Sequence, residues 1–217
     1  MKKILTIFCL LFCFVHFSAH AEDTFSSELI EKFQLNTISN VSKLIVVDTT
    51  LPKARAYILK RFNNSWICLK ETPAEIGANG ARTNKIQGDK ATPKGIYDFV
   101  ITIGIQDKPD CLLPYYQIKK GDVWVTDPQS KYYNRFVRNN TVFVDWNSQI
   151  DLDKRPIRYA YAFVVDYNIT HPQPYIGSAF FVHCSNGQPT EGSVALPRSV
   201  IEYLLTFIDK ETKIYIY

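Results

Sequence analysis

A histidine and a serine ten residues apart are the side chains of this 217-residue chain best suited to joint chemistry. His183 follows the apolar run Ala179–Val182, which is typical of a buried strand. Ser193 follows Gly192 in a polar, turn-rich loop. Such a loop can hold a histidine base and a hydroxyl nucleophile on one side, with N–H groups near a glycine to receive an oxyanion. The pattern predicts acyl transfer.

The same stretch resembles the signature of the L,D-transpeptidase (YkuD-type) family, bacterial enzymes that cross-link or decorate peptidoglycan. That signature is a strand-end histidine, a loop, and Ser/Thr-x-Gly-Cys followed by Val or Ile. His183, Thr190, Gly192 and Val194 match it, and Ser193 stands where the family has its nucleophilic cysteine. The resemblance implies that His183 and Ser193 are the catalytic pair, that Gly192 lies at the oxyanion site and that Thr190 fixes the loop.

Serine at position 193 changes the chemistry that this pattern predicts. A thiol with a pKa of about 8.5 ionises readily beside a histidine, whereas a hydroxyl must lose its proton during attack. A serine therefore needs a base that a third group orients. Asp145, Asp151 and Asp166 are candidates that their spacing does not distinguish. The resemblance implies a backbone carbonyl instead, which is how the family commonly orients its histidine.

Cys184, next to His183, is a second candidate nucleophile. If the strand continues through both residues, their side chains point to opposite faces of the sheet. We therefore expect Cys184 to be a buried structural thiol. The chain's other histidine near the site in sequence, His171, lies in a proline-flanked loop that is typical of the surface.

A second motif, GDKATPKGIY over residues 88–97, precedes a predicted strand. On physical grounds alone, Thr92-Pro93-Lys94-Gly95 suits a tight turn between strands. The letters also resemble the family's second signature, Gly-x-x-x-Thr-Pro-x-Gly-x-aromatic. Two motifs in the expected order favour the family resemblance over chance.

The segment 108–153 is long, polar and aromatic, as is typical of lids and binding walls over a sheet. In family members that share its Asp-Pro-x-Ser-x-x-Tyr-Asn spelling, this region lies near the donor and acceptor grooves. The resemblance implies that Tyr132, Tyr133, Asn134 and Trp146 contact substrate. Packing of these side chains onto the sheet is the alternative.

The remaining patterns predict the elements that must position the site. β-Branched and alternating runs predict strands at Leu44–Asp48, Ala54–Phe62 and Arg158–Asn168, with a hairpin across Asn63-Asn64. Helical spacing predicts one short helix near Leu29 and one after Pro197. We expect a mainly β, β-sandwich-like L,D-transpeptidase catalytic fold with a few helices, including the C-terminal amphipathic one. Its domain would span 43–217, after an N-terminal helix and lead-in over 22–42.

The first residues have the pattern of a secretory leader. Lys2 and Lys3, the apolar run Ile4–Phe17 and Ala19-His20-Ala21 predict a signal peptide over 1–21, and hence a periplasmic or cell-wall location. Loss of the two lysines lowers the formal charge from +4 to +2, too little to suggest nucleic acid. Two histidines and three cysteines would remain, with no zinc-site spacing and at most one disulfide. We expect no cofactor and no metal.

The leading hypothesis is an exported acyl transferase. It would attack the L,D-peptide bond before the terminal D-amino acid of a peptidoglycan stem peptide, and pass the acyl group to an amine or to water. The first alternative is a catalytically silent relative that only binds peptidoglycan. Further alternatives are an L,D-carboxypeptidase and a small-ester serine hydrolase, the latter needing a carboxylate beside His183. We expect a monomer with stem peptides as its partners.

Overall fold

A long mixed sheet carries most of the chain in the computed structural model, which describes residues 25–138 and 141–217. Nine strands form it in the order β13-β12-β11-β6-β14-β1-β2-β3, with β7 added beside β6. The predicted signal peptide lies outside the described residues. The strands of this part of the chain are β1 Lys43–Asp48, β2 Arg55–Phe62, β3 Ser65–Pro73, β4 Ala81–Arg82, β5 Thr92–Pro93, β6 Gly95–Gly104, β7 Tyr115–Gln117, β8 Val123–Val125, β9 Phe136–Val137, β10 Gln149–Asp151, β11 Ala162–Val165, β12 Phe181–Cys184, β13 Val194–Leu196 and β14 Lys213–Ile216.

The mainly β architecture with helices at both ends confirms the predicted fold class. Helix α1 covers 25–32, a 3₁₀ turn covers Leu35–Thr37, and helix α2 covers Arg198–Leu205. The helix predicted after Pro197 is present, with Pro197 at the N-cap position just before its first residue. The main sheet is curled. None of the helices in the described residues is both long and apolar enough to cross a bilayer.

The predicted hairpin is present between β2 and β3. Phe62 pairs with Ser65 across Asn63 and Asn64, whose φ angles are 46° and 65°. Two consecutive positive φ values are typical of a type I′ turn, and asparagine adopts them at low cost. The turn chemistry of Asn-Asn therefore sets the register of this half of the sheet.

The main core lies between α2 and one face of the sheet. Val200, Ile201 and Leu204 of α2 are buried there together with Val182 and Leu196 of β12 and β13. This packing holds the two strands that flank the loop at 185–193. The loop therefore begins and ends on a rigid base.

The segment 108–153 folds into a small second sheet, with β8 between β10 and β9. Ile103 of β6 and Trp124 of β8 share a second core cluster with Phe181 of β12. The small sheet thus packs on the face of β12 that α2 leaves open. The predicted wall over the main sheet is present.

The predicted strand Arg158–Asn168 is shorter in the structure. Only Ala162–Val165 is strand β11, and the residues before it form a turn in which the Tyr159 N–H donates to the Arg155 carbonyl at 2.9 Å. Pro156 lies inside this turn, where it lacks the N–H that a strand ladder needs. The apolar and aromatic residues of this segment predict a strand because buried turns and buried strands use the same residue types; here the turn buries Tyr159.

Candidate active site

His183 lies in β12, one residue before the strand ends at Cys184. Its Nδ1 lies 2.9 Å from the main-chain carbonyl oxygen of Cys184. A carbonyl only accepts, so Nδ1 carries the proton and Nε2 keeps a free lone pair. The ring edge also packs against Tyr159, with 5.8 Å between the ring centroids. This is the tautomer and the fixed orientation that a general base needs.

The surroundings of His183 keep the imidazole neutral. Only 2% of the surface of His183 is exposed to solvent. Burial lowers the pKa of His183 to about 4; the hydrogen bond to Cys184 works against this, and the charges of Arg158 and Arg155 add to it. At neutral pH the ring can accept a proton, but the imidazolium that results would be poorly stabilised.

Ser193 lies on the same face of the sheet as His183. Strands β12 and β13 are parallel, and His183 pairs with Ala195. Residues two apart along a strand share a face, so Ser193 projects to the side of His183. The structure thus brings the predicted base and nucleophile to one side of the sheet.

The hydroxyl of Ser193 is bound to the backbone. Its Oγ accepts a hydrogen bond from the Phe181 N–H at 3.2 Å and donates one to the Ala179 carbonyl at 3.3 Å. In the described residues no hydrogen bond joins this oxygen to His183. The serine therefore extends the strand ladder beyond Val182 instead of pointing its proton at a base.

Gly192 and Thr190 shape the loop that precedes Ser193. Gly192 has a φ of +135°, and a Cβ built on it would lie 2.9 Å from the Ala91 carbonyl oxygen. Its N–H donates to Thr190 Oγ1 at 3.1 Å, while that hydroxyl donates to the Ser193 carbonyl at 2.5 Å. Because the Gly192 N–H is held inside the loop, the Ser193 N–H is the candidate oxyanion donor.

The second motif packs beneath this loop. Thr92 Oγ1 accepts from the Gly77 N–H at 2.9 Å and lies 3.4 Å from the Ser193 carbonyl oxygen. Thr92–Pro93 forms strand β5, which pairs in parallel with Ala81–Arg82. The tight turn predicted from these letters is wrong, because the threonine and proline are extended. Thr92 and Thr190 thus converge on the carbonyl of residue 193.

His183 and Ser193 line one cleft of about 240 Å³. Thr190 and Glu191 of the loop line it too, and Gln149 and Ile150 of β10 form part of the opposite wall. The sequence interpretation did not identify its other side chains. These are Lys85, Gln87, Lys90, Thr126, Arg155, Arg158, Tyr159 and Ser178. The cleft is therefore predominantly polar and basic.

Tyr133 and Asn134 do not reach the cleft directly, which corrects their predicted substrate contacts. Asn134 is 0% exposed; its Oδ1 accepts from Trp124 Nε1 at 2.8 Å and from the Ala179 N–H at 2.9 Å. Tyr133 is 4% exposed and donates to Gln87 Oε1 at 2.8 Å. Both side chains make hydrogen bonds within the protein. They position Ala179 and Gln87 at the cleft instead of touching a ligand.

Trp146 lines a separate shallow depression. Its ring meets the Tyr132 ring edge to face, with 5.7 Å between centroids, and its Nε1 donates to Gln149 Oε1 at 2.5 Å. Gln149 also lines the cleft of His183. The predicted contact of Trp146 with substrate therefore stays a prediction for a ligand that extends past Gln149.

No carboxylate among the described residues hydrogen-bonds to His183. Asp145 binds Ser130 Oγ at 2.5 Å, Asp151 binds Lys154 Nζ at 2.8 Å, and Asp166 accepts from Thr170. The carbonyl of Cys184 takes the orienting position, as the resemblance implies.

Cys184 faces the main core, away from His183. Its Sγ lies 3.5 Å from the Tyr161 carbonyl oxygen, and burial raises the pKa of the thiol. Such a thiol is inert. The predicted structural role fits this position. Cys68, Cys111 and Cys184 are all free, and the described residues contain no group of three acidic, histidine or cysteine side chains that could hold a metal.

Comparison with known proteins gives distant structural likenesses alone. No family profile and no curated protein matches the sequence. The structure of Bd1075 from Bdellovibrio bacteriovorus aligns with 83% of this chain and 50% of its own at 20% identity, with a TM-score of 0.46. An L,D-transpeptidase of Enterococcus faecium aligns with 81% of this chain and 50% of its own at 16% identity, with a TM-score of 0.38. L,D-transpeptidase 1 of Mycobacterium tuberculosis aligns with 81% of this chain and 62% of its own at 12% identity, with a TM-score of 0.36. This chain spans about half the length of the first two.

Proposed function

We propose that this cleft binds peptidoglycan stem peptides in an L,D-transpeptidase-like site where serine makes acyl transfer slow. The main support for this proposal is the difference between the hydrogen bonds of His183 and those of Ser193. The histidine is oriented with Nε2 free, while the serine hydroxyl is bound to the backbone of Phe181 and Ala179. Both motifs that resemble the family converge on the Ser193 carbonyl, which supports the choice of ligand. We propose an exported location from the predicted leader.

The electrostatics of the cleft explain why serine would be slow. Attack by Ser193 Oγ requires His183 to take its proton, and the imidazolium would form in a buried site beside Arg155 and Arg158. With the pKa of His183 near 4 instead of 6.5, that cation costs about 3 kcal/mol more than in water. A thiol is far more acidic than a hydroxyl and gives up its proton to the same base more easily. The arrangement suits a cysteine.

A serine acyl transferase is the second candidate, and the free lone pair on Nε2 favours it. His183 would remove the proton as Ser193 Oγ attacks the carbonyl carbon before the terminal D-amino acid. The Ser193 N–H would receive the oxyanion, and His183 would return the proton to the leaving amine. An amine acceptor makes this a transpeptidase, and water makes it an L,D-carboxypeptidase. The small-ester hydrolase reading loses support, because no described carboxylate orients His183.

Calorimetric titration with a synthetic stem tetrapeptide tests the proposal. We expect saturable binding to the wild-type protein, weaker binding of the all-L peptide, and no mass loss from the peptide after overnight incubation. Phe62→Ala serves as the control, because Phe62 is exposed at the end of β2 and lies outside the cleft. Absence of binding contradicts the proposed ligand. Rapid release of the terminal residue favours the second candidate.

A further inference from the structure

The cleft of His183 contains more positive than negative charge. Lys85, Lys90, Arg155 and Arg158 line it, with Glu191 as the acidic counterpart. Lys85 is already neutralised, because its Nζ lies 2.7 Å from Asp89 Oδ1 and both side chains are at most 5% exposed. Three cations and one carboxylate of the lining therefore remain for a ligand.

Arg155 and Arg158 are half-buried yet lack protein partners. In the described residues neither guanidinium takes part in a hydrogen bond or ion pair. Arg155 influences the carboxylate of Asp151, but that carboxylate is bound by Lys154 and Gln149. A guanidinium that is partly removed from water normally has an anionic or hydrogen-bonding partner. Because both residues line the cleft, their guanidinium groups are available to a ligand there.

The turn that carries the two arginines is fixed against β12. The Arg158 carbonyl accepts from the Cys184 N–H at 3.1 Å, and the Tyr159 ring packs against both Phe181 and His183. Tyr159, the residue after Arg158, is buried. The guanidinium groups therefore come from a rigid segment, which lowers the entropy lost when they bind a ligand.

We propose that Arg155 and Arg158 form a carboxylate-binding pair that selects peptides with a free carboxylate next to the His183–Ser193 end of the cleft. Arginine suits this role because its planar fork binds a carboxylate through two parallel hydrogen bonds. The proposal rests on the proposed function, since it names the feature of the stem peptide that the cleft recognises. The carboxylate comes either from the C-terminus of the peptide or from the side chain of its third residue.

A set of four tetrapeptides separates these two sources. Each carries a C-terminal acid or a C-terminal amide, and each has diaminopimelate or lysine as the third residue, so that the side-chain carboxylate is present or absent. We expect that removal of the recognised carboxylate weakens binding to the wild-type protein about 10-fold or more. The peptide that loses affinity identifies the source.

Matched variants connect the effect to the arginines. In the double variant Arg155→Gln/Arg158→Gln the preference for the recognised carboxylate should disappear, and the double Arg→Lys variant should restore part of it. Lys210→Gln is the control, because it removes one positive charge from an exposed position outside the cleft and away from the Asp151 carboxylate. Thermal unfolding confirms that each variant is folded.

The outcomes distinguish this proposal from the function on which it rests. If the wild-type protein binds all four peptides equally, the arginine pair does not select a carboxylate, while stem-peptide binding stands. An unchanged preference in the double Gln variant also overturns the proposal. If none of the four peptides binds, the proposed function is wrong and this proposal falls with it.

Discussion

The two walls of the cleft differ in how much of their chemistry is available to a ligand. On the β12–β13 wall the hydroxyl of Ser193 is held by backbone groups, and His183 has a carbonyl rather than a carboxylate behind it. In the turn before β11, which also lines the cleft, Arg155 and Arg158 have no protein partners among the described residues. The two guanidinium groups are therefore free to bind a ligand, while the Ser193 hydroxyl is engaged with the backbone. A site of this kind binds better than it reacts.

The largest expected effect concerns His183 in a Ser193→Cys background. If His183 is the base that activates a thiol, adding His183→Ala should lower the rate of acylation about 100-fold or more. Stopped-flow or quenched mass spectrometry with stem tetrapeptide measures that rate. Cys184→Ala in the same background is the control and should change it little, because the Cys184 thiol faces the core. An equal loss for both variants would remove His183 from the mechanism.

The second expected effect is a pH dependence of stability at the reactive wall. His183 has a folded-state pKa of about 4, below the value near 6.5 of an unfolded chain, mainly because of burial. The unfolded state therefore binds the proton first as pH falls, so stability is lost between about pH 6.5 and pH 4. The loss from this residue should approach about 3 kcal/mol.

Urea unfolding of the wild-type protein and of His183→Gln from pH 4 to pH 7.5 isolates this term. The variant lacks the imidazole, so its free energy of unfolding should fall less steeply over the same range. Other groups titrate in both proteins and cancel in the difference. Parallel profiles for the two proteins would show that His183 does not have a depressed pKa.

A smaller effect is expected at Gly192, the residue before Ser193. Gly192→Ala places a Cβ 2.9 Å from the Ala91 carbonyl oxygen at a φ of +135°, and should cost about 2–3 kcal/mol of unfolding free energy. Gly187→Ala is the matched control, because Gly187 also has positive φ, +75°, but nothing within 4 Å of its Cβ. That variant should cost about 1 kcal/mol. Equal costs would mean that close packing beneath the loop is unimportant.

The sequence predicts the fold where local chemistry decides it. Asn63-Asn64 predicts a type I′ hairpin, and the apolar spacing after Pro197 predicts α2; both are present. Thr92–Pro93 is predicted as part of a turn because proline and a nearby glycine suit a turn. In the structure the segment is extended, because it pairs with Ala81–Arg82. That pairing is a tertiary contact, which no local pattern reports.

The candidate site is predicted on one wall and missed on the other. His183, Thr190, Gly192 and Ser193 are close in sequence, so one motif contains them. Arg158 is the first residue of the predicted strand and Arg155 precedes it, so their approach to His183 depends on the turn before β11. The resemblance predicts that Asn134 contacts substrate, whereas the structure buries it completely, because burial is not visible in the sequence.

Acylation of Ser193→Cys compared with the wild-type protein tests the central claim most directly. Intact-protein mass spectrometry after incubation with stem tetrapeptide, or with a carbapenem, measures the fraction of acyl adduct over time. We predict an adduct on the variant at a rate more than ~10-fold above that of the wild-type protein, since thiolate attack lowers the barrier by more than ~1.4 kcal/mol. A folded variant with an unreactive thiol, or a wild-type protein that is acylated faster than the variant, would contradict the account.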